Sequence, residues 1–145
     1  MIALIQRVTE ASVCVEGEEI GRIGRGVLAF VAVQPDDSEI EVGRMAERLL
    51  TYRIFPDSED RMNQSLLDQG LELLLVPQFT LAADTKKGTR PSFTRAAKPD
   101  KASKYFAMLL AECRKHMPRI ASGQFAANMQ VSLVNDGPVT FWLET

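Results

Sequence analysis

Two short stretches hold groups whose types and order could act on a substrate. In the first, Pro77-Gln78-Phe79-Thr80 stands where an apolar run, Leu71 to Val76, gives out, and Asp84-Thr85-Lys86-Lys87-Gly88-Thr89-Arg90-Pro91-Ser92-Phe93 follows it. Thr80 is a hydroxyl nucleophile by position, yet a threonine with no base nearby is weak. The second, Asn135-Asp136-Gly137-Pro138-Val139-Thr140, reads as a tight turn. An X-Pro bond is cis in only ~5% of folded cases, so composition gives no reason to expect anything unusual at Pro138.

The familiar catalytic sets are missing, and this limits the mechanisms open to the chain. Its one histidine, His116, falls at the predicted C-terminal end of a helix, where the helix dipole favours an imidazolium without any catalytic role. A Ser-His-Asp triad would have to use it, and no GxSxG elbow accompanies it. No second histidine or paired cysteines offer a zinc site, so no metal is expected. Cys14 and Cys113 lie far apart without CxxC spacing and read as small core residues. Gly21-Arg22-Ile23-Gly24-Arg25-Gly26 sits between strands and does not open a helix, so it is no phosphate loop.

The elements that must position these residues are readable in outline. Ala3 to Val15 is β-prone, Glu16-Gly17-Glu18-Glu19 reads as a hairpin turn, and Val27 to Val33 is a continuous apolar run suited to a strand buried on both faces. Ser38 with Glu41 forms a capping-box pattern ahead of Val42, Met45, Ala46, Leu49 and Leu50 at helical spacing. Tyr52 to Phe55 and Leu71 to Val76 read as short strands, with a turn signal at Pro56-Asp57-Ser58 between them. Ala82 to Pro99 lacks periodicity and is an exposed loop of a length that usually has a job. A second helix spans Asp100 to His116, with Phe106, Leu109, Leu110, Cys113 and Met117 on one face and Pro118 as its stop. Two strands joined by a Gly-Pro turn close the chain. The fold expected is mixed α/β: a curved sheet or partial barrel with two main helices packed on it.

With 145 residues, 46% of them hydrophobic, the chain has room for one core, and 1–145 reads as a single domain. No run approaches membrane-spanning length and the opening apolar stretch is too short for a signal h-region, so a cytoplasmic protein is expected. Charge is unevenly placed: Asp36 to Glu72 carries ten acidic and four basic residues, whereas Asp84 to Lys104 carries seven basic and two acidic. A basic cluster of this size can neutralise phosphates, though by charge alone it also suits an ordinary solvated face.

These stretches resemble motifs of the D-aminoacyl-tRNA deacylase family, from end to end and in the family's order. The matching segments are Ile5-Gln6-Arg7-Val8, Tyr52-Arg53-Ile54-Phe55, Gln78-Phe79-Thr80-Leu81, Ala83-Asp84-Thr85-Lys86, Arg90-Pro91-Ser92-Phe93 and Met129 to Thr140. The resemblance implies a homodimer that needs no cofactor, each site combining Gln78, Phe79 and Thr80 of one subunit with a cis Gly137-Pro138 turn from the other. Carbonyls of Gly137 and Pro138 would hold the substrate's α-amino group. The Cα hydrogen of a D-residue would then face the turn, an L side chain would be driven into backbone, and glycine would be accepted. Phe79, Phe125 and Met129, which as bare sequence read as core, would line the pocket. Arg7 would brace the turn across the dimer. Catalysis would draw on the 2′-hydroxyl of the terminal adenosine, with N–H groups near Phe79 and Thr80 stabilising the oxyanion. Lys86, Lys87 and Arg90, within the basic stretch to Lys104, would contact tRNA phosphates. Pro77 departs from the serine many members carry, removing a hydroxyl and a backbone N–H; Asn128 replaces a common aspartate without evident consequence.

Two other classes fit parts of the pattern. A non-catalytic RNA-binding or ligand-binding dimer explains the absent catalytic side chains but not the pairing of Gln-Phe-Thr with Gly-Pro. An esterase or amidase acting on free D-amino acid derivatives would not need the basic loop.

Overall fold

The strand β1 (Ile2–Val15) is long enough to serve three partners, and the sheet is organised around it. The computed structural model describes residues 1–145. Along one edge β1 pairs antiparallel with β2 (Glu18–Ile23) through its second half and with β3 (Gly26–Ala32) through its first. A ribbon of β4 (Phe55–Pro56) and β5 (Met62–Gln64) stands apart. β3 runs parallel to β6 (Glu72–Pro77), and β6 parallel to β7 (Ile120–Ser122). Gly21 of β2 lies against Ala121 and Ser122 of β7, so the sheet curls until its ends nearly meet. Along the other edge of β1 the last strand, β8 (Met129–Glu144), follows it throughout.

Strand alternation divides the core. Val27, Ala29 and Val31 of β3 and Leu73 and Leu75 of β6 face the helices; Leu28, Leu74 and Val76 face into the curl. A bulge beside Thr9, where Val8 and Glu10 oppose the adjacent residues Asn135 and Val134, shifts the phase of β1 by one. Ala3 and Ile5 therefore meet the helices, while Val8, Ala11 and Val13 all fill the curl.

The helix α1 (Glu39–Thr51) starts at a complete capping box: Ile40 N–H donates to Ser38 Oγ, and Ser38 N–H donates to the Glu41 carboxylate at 2.8 Å. It buries Val42, Met45, Ala46, Leu49 and Leu50, the stripe its spacing predicts. A one-turn helix, α2 (Leu66–Gln69), forms on a second capping box, Ser65 with Asp68. The helix α3 (Pro99–Arg114) begins with proline at its first position, where a missing N–H costs nothing, and buries Ala102, Phe106, Leu109 and Cys113. The mixed α/β expectation with a curved sheet holds, with three helices instead of two.

Three local expectations change. Tyr52 to Ile54 form no strand: Tyr52 N–H closes α1 on Arg48 O and Ile54 N–H turns back to Tyr52 O, so neither N–H is left for a ladder. The second long helix stops at Arg114, and the N–H groups of Lys115 and His116 bond three residues back in a tighter final turn. The chain's end is one strand, not a hairpin. Both halves of β8 pair with β1, and between the pairs Val8↔Asn135 and Gln6↔Thr140 four residues, Asp136 to Val139, face Arg7 alone. Gly137-Pro138 is thus the tip of a bulge on a continuous edge strand.

Candidate active site

A cleft of about 690 Å³ opens where β6 ends. Pro77 closes that strand opposite Val31, and the ladder survives because the next residue supplies the bond: Gln78 N–H donates to Val31 O at 2.7 Å. The chain then enters a short 3₁₀ turn, Phe79–Ala82. Its opening N–H groups, on Phe79 and Thr80, have no carbonyl within the turn to bond, and the Gln78 side chain does not cap them. Instead Gln78 Nε2 donates to Thr80 Oγ1.

Gln78, Phe79, Phe125 and Met129 come together on the cleft wall, while Thr80 sits on the turn outside it. Met129 is fixed by its thioether: Gln124 N–H approaches Sδ at 3.3 Å, and a Cβ on Gly123 would stand only 2.7 Å from that sulfur. Phe106 of α3 serves both core and cleft. Phe93 also lines the cleft, a role its sequence context did not assign; the signal was an aromatic ring placed directly after a polar, basic loop.

Ionisable groups are scarce here, and Lys98 is the one such side chain on the lining. His116 is exposed at the end of α3. Burial, helped by neighbouring Glu112, pushes the Cys113 thiol up to about 12, so it is no nucleophile at neutral pH. No group of three His, Cys, Asp or Glu side chains could hold a metal ion.

The second group lies elsewhere. Arg7 donates from Nε to Asp136 O at 3.0 Å and from Nη1 to Ile54 O at 2.8 Å, tying the bulge to the segment after α1. Asn135 Oδ1 accepts from Val139 N–H at 3.0 Å and closes the bulge from within. Within one chain, then, the wide bulge brings Asp136 over its own Arg7. Gly137 and Pro138 are exposed, their peptide bond is cis, and neither lines the cleft. Met129 at the cleft and Asp136 at the bulge are seven residues apart on one strand, roughly 23 Å at ~3.3 Å per residue.

Lys86, Lys87 and Arg90 project from an exposed loop. Two backbone bonds, Asp84 N–H to Ser92 O at 2.7 Å and Ser92 N–H to Asp84 O at 3.1 Å, pinch that loop shut beside the cleft.

This geometry defines a mostly apolar cleft beside a basic loop, poor in catalytic side chains. The family model described as D-Tyr-tRNA(Tyr) deacylase matches residues 4–144, and the chain belongs to that family of hydrolases. A D-aminoacyl-tRNA deacylase of Methylococcus capsulatus is 62% identical over 99% of this chain and 94% of its own. One from Escherichia coli is 54% identical over 99% of both. Within the family the chain's place is thus among the D-aminoacyl-tRNA deacylases. Of solved structures, that of a c-Myc DNA unwinding element binding protein superposes with a TM-score of 0.96 at 38% identity, covering 100% of this chain and 99% of that one. A probable eukaryotic D-amino acid tRNA deacylase shares the fold, with a TM-score of 0.85 at 19% identity over 98% and 97% of the two chains.

Proposed function

We propose that this protein hydrolyses the ester joining a D-amino acid to the 3′ end of tRNA, as a homodimer in the cytoplasm. Each site is built from the cleft of one copy and the Gly137-Pro138 turn of the other. One observation carries this reading: the turn is exposed and braced by Arg7, yet far from the cleft of its own chain. The outer edge of β8 has no partner strand, and Val134, Phe141 and Trp142 are exposed along it, which is surface that a second copy would cover.

In the assembled site the Gly137 and Pro138 carbonyls hold the α-amino group, and their backbone leaves room for a hydrogen but not for an L side chain. Glycine esters are hydrolysed as well, having no side chain to exclude. Water attacks the ester carbonyl, the bond to the ribose 3′-oxygen breaks, and free amino acid and tRNA leave. The cleft lining offers no carboxylate, imidazole or thiol as general base. The substrate's own 2′-hydroxyl assists proton transfer while N–H groups at Phe79 and Thr80 stabilise the oxyanion. Pro77 has neither hydroxyl nor N–H, so nothing in this step draws on position 77. Lys86, Lys87 and Arg90 hold acceptor-stem phosphates, contacts that position tRNA without reading its sequence.

Mixing two variants tests the shared site. Gln78→Trp blocks the cleft and Gly137→Val blocks the turn, so each is inactive alone. Their heterodimer carries one intact site, and random pairing restores roughly a quarter of wild-type activity; no recovery contradicts a site shared between copies. The rival reading as a nucleic-acid-binding protein draws on the basic loop and on the 38%-identical structure, whose name is that of a DNA-element binding protein. It predicts tRNA binding without hydrolysis of any aminoacyl ester.

A further inference from the structure

An aromatic pair at the cleft mouth is left over once the ester has been placed. Phe79 and Phe93 are 54% and 42% exposed, with ring centroids 5.1 Å apart and planes tilted by 57°. They come from different segments. Phe79 opens the turn after β6; Phe93 follows directly on the pinch between Asp84 and Ser92. Backbone bonds hold Phe93 from both sides, the pinch before it and Ala96 N–H to Phe93 O at 3.0 Å after it. Lys86 N–H, donating to Asp84 Oδ1 at 3.0 Å, stiffens the same loop. The backbone that carries the ring is held, the ring rests against Phe79, and much of its surface stays in water.

Exposed rings beside mobile cations are how proteins hold single-stranded nucleic acid: bases stack on the rings and phosphates meet the charges. The charge here fits that occupant, since Asp84 to Lys104 carries seven basic and two acidic residues. An apolar protein surface would gain nothing from those cations. Resting on the deacylase reading, we propose that Phe93, seated against Phe79, is a stacking platform for the unpaired base that precedes the terminal adenosine. The cleft then takes the terminal nucleoside with its ester, the aromatic pair takes the next base, and the loop takes phosphates further back. Such a platform is indifferent to base identity, because every base has a π face.

Kinetics on two substrates test this: D-Tyr-tRNA, and the D-tyrosyl ester of adenosine alone, with wild type, Phe93→Ala and Phe93→Trp, each checked for mass by light scattering. Phe93→Ala should lose about tenfold or more in kcat/KM on the tRNA, chiefly through KM, and clearly less on the adenosine ester, which meets Phe93 only as part of the cleft lining. Phe93→Trp should restore the tRNA rate. Equal loss on both substrates would make the ring a support for the cleft, no loss on the tRNA would leave it without a contact, and a change in mass would make it a subunit interface; each overturns the platform. If wild type cleaves neither ester, the deacylase reading falls and takes the platform with it. If wild type cleaves both and Phe93→Ala matches it, the platform alone falls.

Discussion

Replacing Gly137 with alanine puts a methyl group where the bulge has least room for one. Gly137 has φ +134°, a region that is almost closed to residues with a Cβ and costs them of order 1–3 kcal/mol. The new Cβ would stand 2.7 Å from Val139 Cγ2 and 3.1 Å from both Val139 N and Arg7 Nη2. Val139 is buried and Arg7 is tied to Asp136 and Ile54, so neither yields freely. Strain and crowding together come to roughly 2–4 kcal/mol. Since the bulge is exposed, its displacement relieves most of this without unfolding the sheet. Urea denaturation should then show a loss of about 1–2 kcal/mol, smaller than the local strain. The rate on D-Tyr-tRNA should fall much further, roughly 30-fold or more for 2 kcal/mol of misplacement in the transition state. Single-turnover deacylation of D-Tyr-tRNA and L-Tyr-tRNA reads both rate and selectivity. A variant that is measurably less stable yet keeps wild-type rate and discrimination would refute the turn's part in the site.

Thr80→Ala should keep kcat/KM on D-Tyr-tRNA within about tenfold of wild type, the worth of one exposed hydrogen bond; a dead variant that still folds and binds tRNA would restore Thr80 as the nucleophile. Lys86→Ala with Lys87→Ala should weaken tRNA binding and flatten its log–log salt dependence by about 1.5, measured as KM across a salt series. Gly26→Ala should destabilise the fold by roughly 1–3 kcal/mol in thermal or urea unfolding, because its Cβ would fall 2.0 Å from Glu72 O in the β3–β6 ladder. Hydrogen bonds from Ser38 and Ser65 hold the Glu41 and Asp68 carboxyls below their ordinary values of 4.5 and 3.8. That stability is fully present above those ordinary values and lost as pH falls through the lower folded ones, so the urea midpoint should drop below about pH 4.5 and less steeply in Glu41→Gln.

What the sequence reveals of this fold is what local chemistry decides. Ser38, Glu41 and the stripe from Val42 to Leu50 mark α1 by local pattern, and the apolar run from Val27 to Val33 suits the buried strand that β3 forms there. The β8 bulge was hidden because Asn-Asp-Gly-Pro has the composition of a hairpin turn. What keeps the strand going is β1, whose length lets it pair both halves, a tertiary fact with no local sign. Tyr52 to Ile54 have strand-like composition but follow directly on a helix whose cap they complete. Gln78, Phe79, Phe125 and Met129 were readable as a set only through resemblance, being spread over two loops and a strand start. The bond from Arg7 to Asp136 of its own chain likewise has no local sign, since it depends on how far the bulge reaches over β1.

The most direct measurement is hydrolysis of D-Tyr-tRNA and L-Tyr-tRNA side by side, each with a 3′-ester on a terminal adenosine carrying either its normal 2′-hydroxyl or 2′-deoxy. Loss of the D-ester alone, and only with the hydroxyl present, is the expected result. Survival of both esters would contradict the deacylase function, equal loss of D and L would contradict the exclusion of L side chains, and unchanged hydrolysis of the 2′-deoxy D-ester would contradict catalysis by the substrate's own hydroxyl.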